Sequence, residues 1–393
     1  MRKYTYLIVG GGMSADAAAR GIREVDASGS IGLIGAEPDP PYSRPPLSKA
    51  LWKGEPFESI WKGTEELGVE LHLGERAVAL DVAGRSVRTA SGREYGYQKL
   101  LLATGGEPRR IASWGDEVIY FRTARDYRRL RSQADGARHF VVIGGGFIGS
   151  EIAAGLAMAG QRVTLVFPEH GIGARVFPAE LCRHLGEVYR DHGIDVLAGE
   201  KIDHVERTVR GSLVRTASGR TLAADAVVAG LGIEPGVELA VAAGLEVDNG
   251  IVVDELLRTR VPTIYAAGDV ASWLSPALGG RVRVEHEDNA LTQGRAAGVS
   301  MAGSGEPYRH LPFFYSDLFD AGYEAVGELD ASLEVVADWK EPLREGVVYY
   351  LREGRVRGVL LWNTWGQVDA ARALIASPGP YRAGDLAGRI TTD

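Results

Sequence analysis

Two stretches decide the fold: Tyr4-Thr-Tyr-Leu-Ile-Val-Gly-Gly-Gly-Met-Ser-Ala15 and Phe140-Val-Val-Ile-Gly-Gly-Gly-Phe-Ile-Gly149. Each carries a short apolar, β-prone run into a glycine cluster and then a helix-forming segment. In the first, Tyr4 to Val9 reads as a buried strand and Ala15 to Val25 as an alanine-rich helix. A second strand, Ile31 to Ile34, ends near Glu37. The second copy repeats this order with strand Phe140–Ile143, helix Ser150–Ala159, strand Val163–Phe167 and then Glu169. Two βαβ units of one type predict two nucleotide-binding domains of similar architecture.

The spacing gives each glycine a job. In Gly10-x-Gly12-x-x-Ala15 the first glycine permits a tight turn. The second lets backbone N–H groups approach a pyrophosphate, and the small third residue lets helix pack on strand. The anion then sits at the positive end of a helix. Gly144-x-Gly146-x-x-Gly149 repeats the pattern, with Gly145, Phe147 and Ile148 between. Glu37 and Glu169, each closing a second strand, can accept a hydrogen bond from a ribose hydroxyl. Glu169 would repel a 2′-phosphate, which favours NADH over NADPH; Arg175 nearby softens that preference.

Composition narrows the classes. The 393 residues carry a net charge of −8, which argues against nucleic-acid binding. With 45% hydrophobic and 24% charged residues, the chain reads as an ordinary globular enzyme. Cys182 is the one cysteine, so an intrachain disulfide, a redox-active dithiol and a cysteine-rich zinc site are excluded, and no metal site is expected. No apolar run is long enough for a membrane span, and the N-terminus runs straight into a strand, so a cytoplasmic location is expected. The 52 glycines are nearly twice the usual share of about 7%.

Further along, Leu100-Leu-Leu-Ala-Thr-Gly105 reads as a strand entering a glycine turn, and Ala226-Val-Val-Ala-Gly-Leu-Gly232 resembles it. The strand Thr263-Ile-Tyr-Ala-Ala-Gly-Asp269 would return the chain to the first domain. Beyond Phe313 the runs Tyr323–Leu329, Val347–Leu351 and Val356–Leu361 read as antiparallel strands, and Asp369 to Ile375 as a helix. The expectation is therefore an α/β protein of three domains: 1–112 with 236–312, then 113–235, then an α+β domain at 313–393.

The two loops, Pro41-Tyr-Ser-Arg-Pro-Pro-Leu-Ser-Lys49, Ala103-Thr-Gly105 and Ala266-Ala-Gly-Asp269 together resemble the FAD/NAD(P)H reductases of the glutathione-reductase superfamily. Val284-Glu-His-Glu-Asp-Asn289, Phe314-Tyr-Ser-Asp317, Gly322-Tyr-Glu-Ala-Val-Gly327 and Leu361-Trp-Asn363 resemble the branch holding ferredoxin reductases and apoptosis-inducing factor. The resemblance spans essentially the whole chain. It implies FAD held by the first loop (Gly10, Gly12, Ser14, Ala15), Glu37, Arg44, Lys49, Val78, Thr104, Gly105, Arg122 and Asp269. It implies NADH held by Gly144, Gly145, Gly146, Phe147, Ile148, Gly149, Glu169, Arg175 and Gly232. Glu285 and His286 would lie by the flavin, and Tyr315 and Glu324 on the nicotinamide side. A Lys49–Glu151 ion pair would stand near flavin N5, with Lys49, Glu151 and His286 as the catalytic set.

The chemistry implied is hydride transfer from NADH to flavin N5, then electron transfer to an external acceptor. A ferredoxin or rubredoxin-type carrier leads. A quinone, and a slow NADH oxidase gated by a charge-transfer complex and dimerisation, stay open. So does the oligomeric state, monomer or homodimer, which NADH could change. The departures from apoptosis-inducing factor are Tyr315 in place of a tryptophan, a missing C-terminal insertion with only Asp330 to Gly346 in its place, and no mitochondrial leader. Trp362 and Trp365 read as core residues and Cys182 as structural. The Arg128, Arg129 and Arg131 face reads as solvated, with docking of an acidic carrier as its alternative.

Overall fold

The computed structural model describes residues 1–136, 138–209 and 211–391. The chain forms two compact units: Met1–Arg44, Glu58–Glu107 and Glu234–Pro312, and then Pro45–Phe57, Pro108–Ile233 and Phe313–Asp393.

In the first unit, β1 (Arg2–Val9), α1 (Met13–Val25) and β2 (Ile31–Gly35) form the expected βαβ unit. β1 lies between β2 and the strand Glu94–Leu102, parallel to both, in a seven-stranded sheet. The strand Ile264–Ala266 pairs parallel to Glu94–Leu102, so the chain does return to this sheet late. Leu7, Ile8, Leu33, Leu100 and Leu101 are fully buried there, as expected of parallel strands covered on both faces.

Much of the glycine surplus serves packing. A Cβ on Gly21 would stand 2.2 Å from the Arg295 carbonyl oxygen, and one on Gly298 would stand 2.1 Å from that of Ala18. Bare backbone contacts therefore bring α1 against the helix Glu287–Met301. Ser14 and His286, at the N-terminal ends of these two helices, are placed by that contact.

In the second unit, β3 (His139–Ile143), α2 (Phe147–Met158) and β4 (Arg162–Phe167) form the second βαβ unit. They belong to a five-stranded parallel sheet completed by Asp195–Ala198, Ala226–Ala229 and Ile119–Tyr120. The C-terminal segment is a five-stranded antiparallel sheet that starts with β5 (Phe313–Leu318) and β6 (Ala321–Gly327). The helix Val368–Ala376 packs on it through Ala371, Leu374 and Ile375. Both βαβ helices start earlier than expected, because Gly12 and Gly146 are themselves the N-caps. Among the described residues no helix is long and apolar enough to cross a membrane.

Candidate functional site

The first glycine loop is shaped by backbone crowding. Gly10 has φ +129°, and a Cβ there would meet the Ala103 carbonyl oxygen at 2.0 Å. Gly12, the N-cap of α1, is extended, and a Cβ there would meet nothing within 4 Å. The loop thus leaves clear space before free N–H groups at a helix N-terminus, where an anion is stabilised. Ala15 is buried and Ser14 nearly so. Ser14 sits against Gly268, whose N–H donates to Gln293 Oε1 at 2.8 Å. Asp269 follows in the short turn Gly268–Val270.

Glu37 lies past the end of β2. Its carboxylate accepts the Tyr42 hydroxyl at 2.6 Å and Arg44 at 2.5 Å, and Arg44 also lies 5.0 Å from the Tyr42 ring centre. Burial opposes the Arg44 charge, but Tyr42, Glu37 and Asp269 outweigh it and raise its pKa. Thr104 donates to the Gly236 carbonyl at 2.6 Å, and Gly105 takes a left-handed turn at φ +63°. Val78 is half exposed. Glu285 pairs with Arg283 at 2.7 Å, and Arg283 also donates to the Asp269 carbonyl. His286 caps the helix Glu287–Met301 with Nδ1 buried; burial lowers its pKa to about 4, against the pull of Asp269 and Asp288. At neutral pH the ring is an uncharged imidazole.

In the second unit, Gly144 has φ +115° and stands over the Gly230 carbonyl oxygen, 2.4 Å from where its Cβ would be. A Cβ on Gly149 would meet the Gly144 carbonyl oxygen at 1.9 Å, and one on Gly145 would meet the Phe167 ring at 2.7 Å. Gly146 caps α2 in extended conformation with nothing within 4 Å of a Cβ. Phe147 packs on Phe314, and Ile148 is exposed. Arg175 donates to Glu169 Oε1 at 2.9 and 3.2 Å. Its loop is tied to the glycine loop by the Gly173 N–H, which donates to the Gly145 carbonyl at 2.8 Å. The Gly232 carbonyl accepts the Arg109 N–H. Arg122 and Lys49 belong to this unit and not to that of Gly10.

Glu151, on the buried face of α2, is 3% exposed and gathers three donors. Ser48 reaches Oε2 at 2.5 Å, while Ser316 at 2.6 Å and Lys49 Nζ at 2.7 Å both reach Oε1. Lys49 Nζ also lies 5.6 Å from the Tyr315 ring centre. Tyr315 pairs across the sheet with Glu324, whose pKa is raised by burial against the Gly366 N–H that it accepts. Lys49 and Glu151, which the resemblance pairs, do form an ion pair.

Neither serine was legible as part of this cluster, because three remote segments supply it. Trp365 corrects the core assignment: it is 52% exposed and lies over Gly322, where a Cβ would stand 2.6 Å from the indole. Trp362 is buried as expected. Cys182 is buried, and burial pushes its thiol up to about 11. Among the described residues no cluster of His, Cys, Asp or Glu could hold a metal.

The model of the pyridine nucleotide-disulphide oxidoreductases matches residues 4–294. That of the mitochondrion-associated C-terminal domain of apoptosis-inducing factor matches 297–345 and 338–377. The chain is 37% identical to the 5,5′-dehydrodivanillate O-demethylase ferredoxin reductase subunit of Sphingobium sp., over 95% of this chain and 94% of that one. It is 34% identical to apoptosis-inducing factor 1 of Dictyostelium discoideum, over 95% of this chain and 79% of that one. The putidaredoxin reductase of a covalent complex with putidaredoxin superposes with TM-score 0.89 at 31% identity, covering 96% of this chain and 94% of that chain.

Proposed function

The chain belongs to the pyridine nucleotide-disulphide oxidoreductase family and is an FAD-dependent oxidoreductase that uses NAD(H), and on that premise we propose that it passes electrons from NADH to a small ferredoxin- or rubredoxin-type carrier. The observation that carries this reading is the pair of open cradles at Gly12 and Gly146. Each leaves space for a pyrophosphate at a helix N-terminus, with a carboxylate, Glu37 or Glu169, past the following strand. FAD when bound supplies the two-electron acceptor that NADH requires and can release electrons singly.

We assign residues 1–112 and 236–312 to FAD, 113–235 to NADH and 313–393 to the C-terminal domain. Gly10, Gly12, Ser14, Ala15, Glu37, Arg44, Val78, Thr104, Gly105, Arg122, Asp269, Glu285 and His286 hold FAD. Gly144 to Gly149, Glu169, Arg175 and Gly232 hold NADH, and Tyr315 and Glu324 face the nicotinamide. Lys49, held by Glu151, is the cation that favours the reduced flavin. With one cysteine in the chain, and that one buried, electrons leave without a dithiol relay. The carrier assignment draws on the relatives named as ferredoxin reductases. The compartment we assign is the cytoplasm.

An acceptor screen with NADH in excess tests this. Reduction of cytochrome c that depends on an added ferredoxin or rubredoxin is expected. Fast turnover with quinones alone would contradict it. The match of residues 297–377 to the C-terminal domain of apoptosis-inducing factor favours a second reading, slow NADH-gated signalling. Gel filtration with and without NADH decides that: a shifted elution volume supports gating, and an unchanged one removes it.

A further inference from the structure

We propose that Ser48 and Ser316 are positioning residues that fix the Glu151 carboxylate and, through it, the Lys49 ammonium. The proposal rests on the reading of Lys49 as the cation beside the flavin. Ionised groups are rarely buried unless paired and hydrogen-bonded. Glu151 meets that demand with two hydroxyls and one ammonium, and each carboxylate oxygen has a short donor. Ser48 and Lys49 are consecutive, so one dipeptide takes both oxygens. Ser316 approaches from β5 and shares Oε1 with Lys49 Nζ. The three segments come from the Pro-rich stretch, the nucleotide-binding helix and the C-terminal sheet. Lys49 alone could swing about its flexible stem. A carboxylate pinned from two other directions gives it one place to stand. The buried hydroxyls of Tyr323 and Tyr189 each feel the charge of Glu151, and Tyr323 also feels the Ser316 hydroxyl.

The physical consequence is a set field. Each hydroxyl aims the positive end of its dipole at one carboxylate oxygen and holds it in a fixed direction. Removing one lets the carboxylate turn, so the Lys49 ammonium leaves its place and the positive field that Lys49 supplies weakens. A less positive field disfavours the reduced flavin, so the midpoint potential falls, as it falls when the lysine itself is removed.

The test is the potential of bound FAD in the holoenzyme, measured by equilibration with redox dyes. Ser316→Ala and Ser48→Ala should each shift the NADH–flavin equilibrium up to tenfold, or about 30 mV for a two-electron couple. Lys49→Met should shift it further in the same direction. Ser316→Thr, which keeps the hydroxyl, should restore the wild-type value. In the Lys49→Met background the serine substitutions should add nothing. If Ser316→Ala does not fold, Ser48→Ala reads the same quantity. Serine variants with unshifted potential, beside a shifted Lys49→Met, overturn the proposal alone. An equal serine effect without Lys49 also overturns it. An unshifted Lys49→Met overturns the reading of Lys49, and the proposal with it.

Discussion

Gly146 and Gly149 sit three residues apart at the start of one helix, yet adding a methyl group to each should have opposite consequences. At Gly149 the new Cβ would lie 1.9 Å from the Gly144 carbonyl oxygen, against a backbone that has no rotamer to change. Helix α2 must retreat from β3 by more than an ångström, and forced overpacking of this kind costs about 1–3 kcal/mol or more. Gly149→Ala should therefore lower the melting temperature. At Gly146 the Cβ meets no atom within 4 Å, and φ −83° is open to any residue. Alanine is a weaker N-cap than glycine but loses less entropy on folding, and the two effects offset to within about 1 kcal/mol. Gly146→Ala should then fold normally and keep its flavin. The methyl group fills the space assigned to the NADH pyrophosphate. A clash of about 1–3 kcal/mol there weakens NADH by roughly 5- to 150-fold. The assay is steady-state KM for NADH with ferricyanide in excess, beside a thermal melt of each variant. A Gly146→Ala enzyme with wild-type KM would mean that the open cradle is not where the cofactor lies.

Removing the Glu169 carboxylate should free Arg175 and lift the NADPH-to-NADH ratio of kcat/KM by about tenfold; an unchanged ratio places Glu169 away from the ribose. His286 is held neutral by burial with its pKa lowered to about 4, whereas an unfolded histidine titrates near 6.5. The unfolded apoprotein thus binds the extra proton between those values, so the contribution of His286 to stability is constant above about pH 6.5 and falls as the pH drops toward 4. The loss is at most about 3 kcal/mol. His286→Gln should flatten that part of the urea-denaturation pH profile, and a profile identical to wild type would argue against it. The Cys182 thiol, buried and raised to about 11, should resist aromatic disulfide reagents at pH 8 until the protein unfolds. Cys182→Ser should leave NADH oxidation unchanged; a rapidly labelled native thiol or a lost activity would contradict a structural role.

What the sequence disclosed and what it hid divide along physical lines. Both βαβ units were legible, since a strand, a crowded glycine turn and a helix are local events fixed by backbone sterics. The first turns of both helices were not, because Met13 and Phe147 follow directly on the capping glycines. The strand Glu334–Glu341 escaped notice because it lies at the edge of its sheet and mixes charged with apolar residues. β5 escaped too: Phe313-Phe-Tyr-Ser-Asp-Leu318 lacks alternation, and its place comes from pairing with β6. The Lys49–Glu151 pair was reached through family resemblance, not from spacing. The two serines that complete it had no local signature, because 103 and 165 residues separate them from Glu151. Trp365 looked like a core residue by type, yet the turn after Trp362 carries it onto the surface above Gly322.

Every role assigned above requires that NADH reduce a flavin held by this chain. Anaerobic stopped-flow mixing of the purified protein with NADH tests it most directly. The protein should be yellow, with a flavin absorbance that bleaches rapidly with NADH and far more slowly with NADPH. A colourless preparation that FAD does not reconstitute, or a flavin band that NADH leaves untouched, would contradict it.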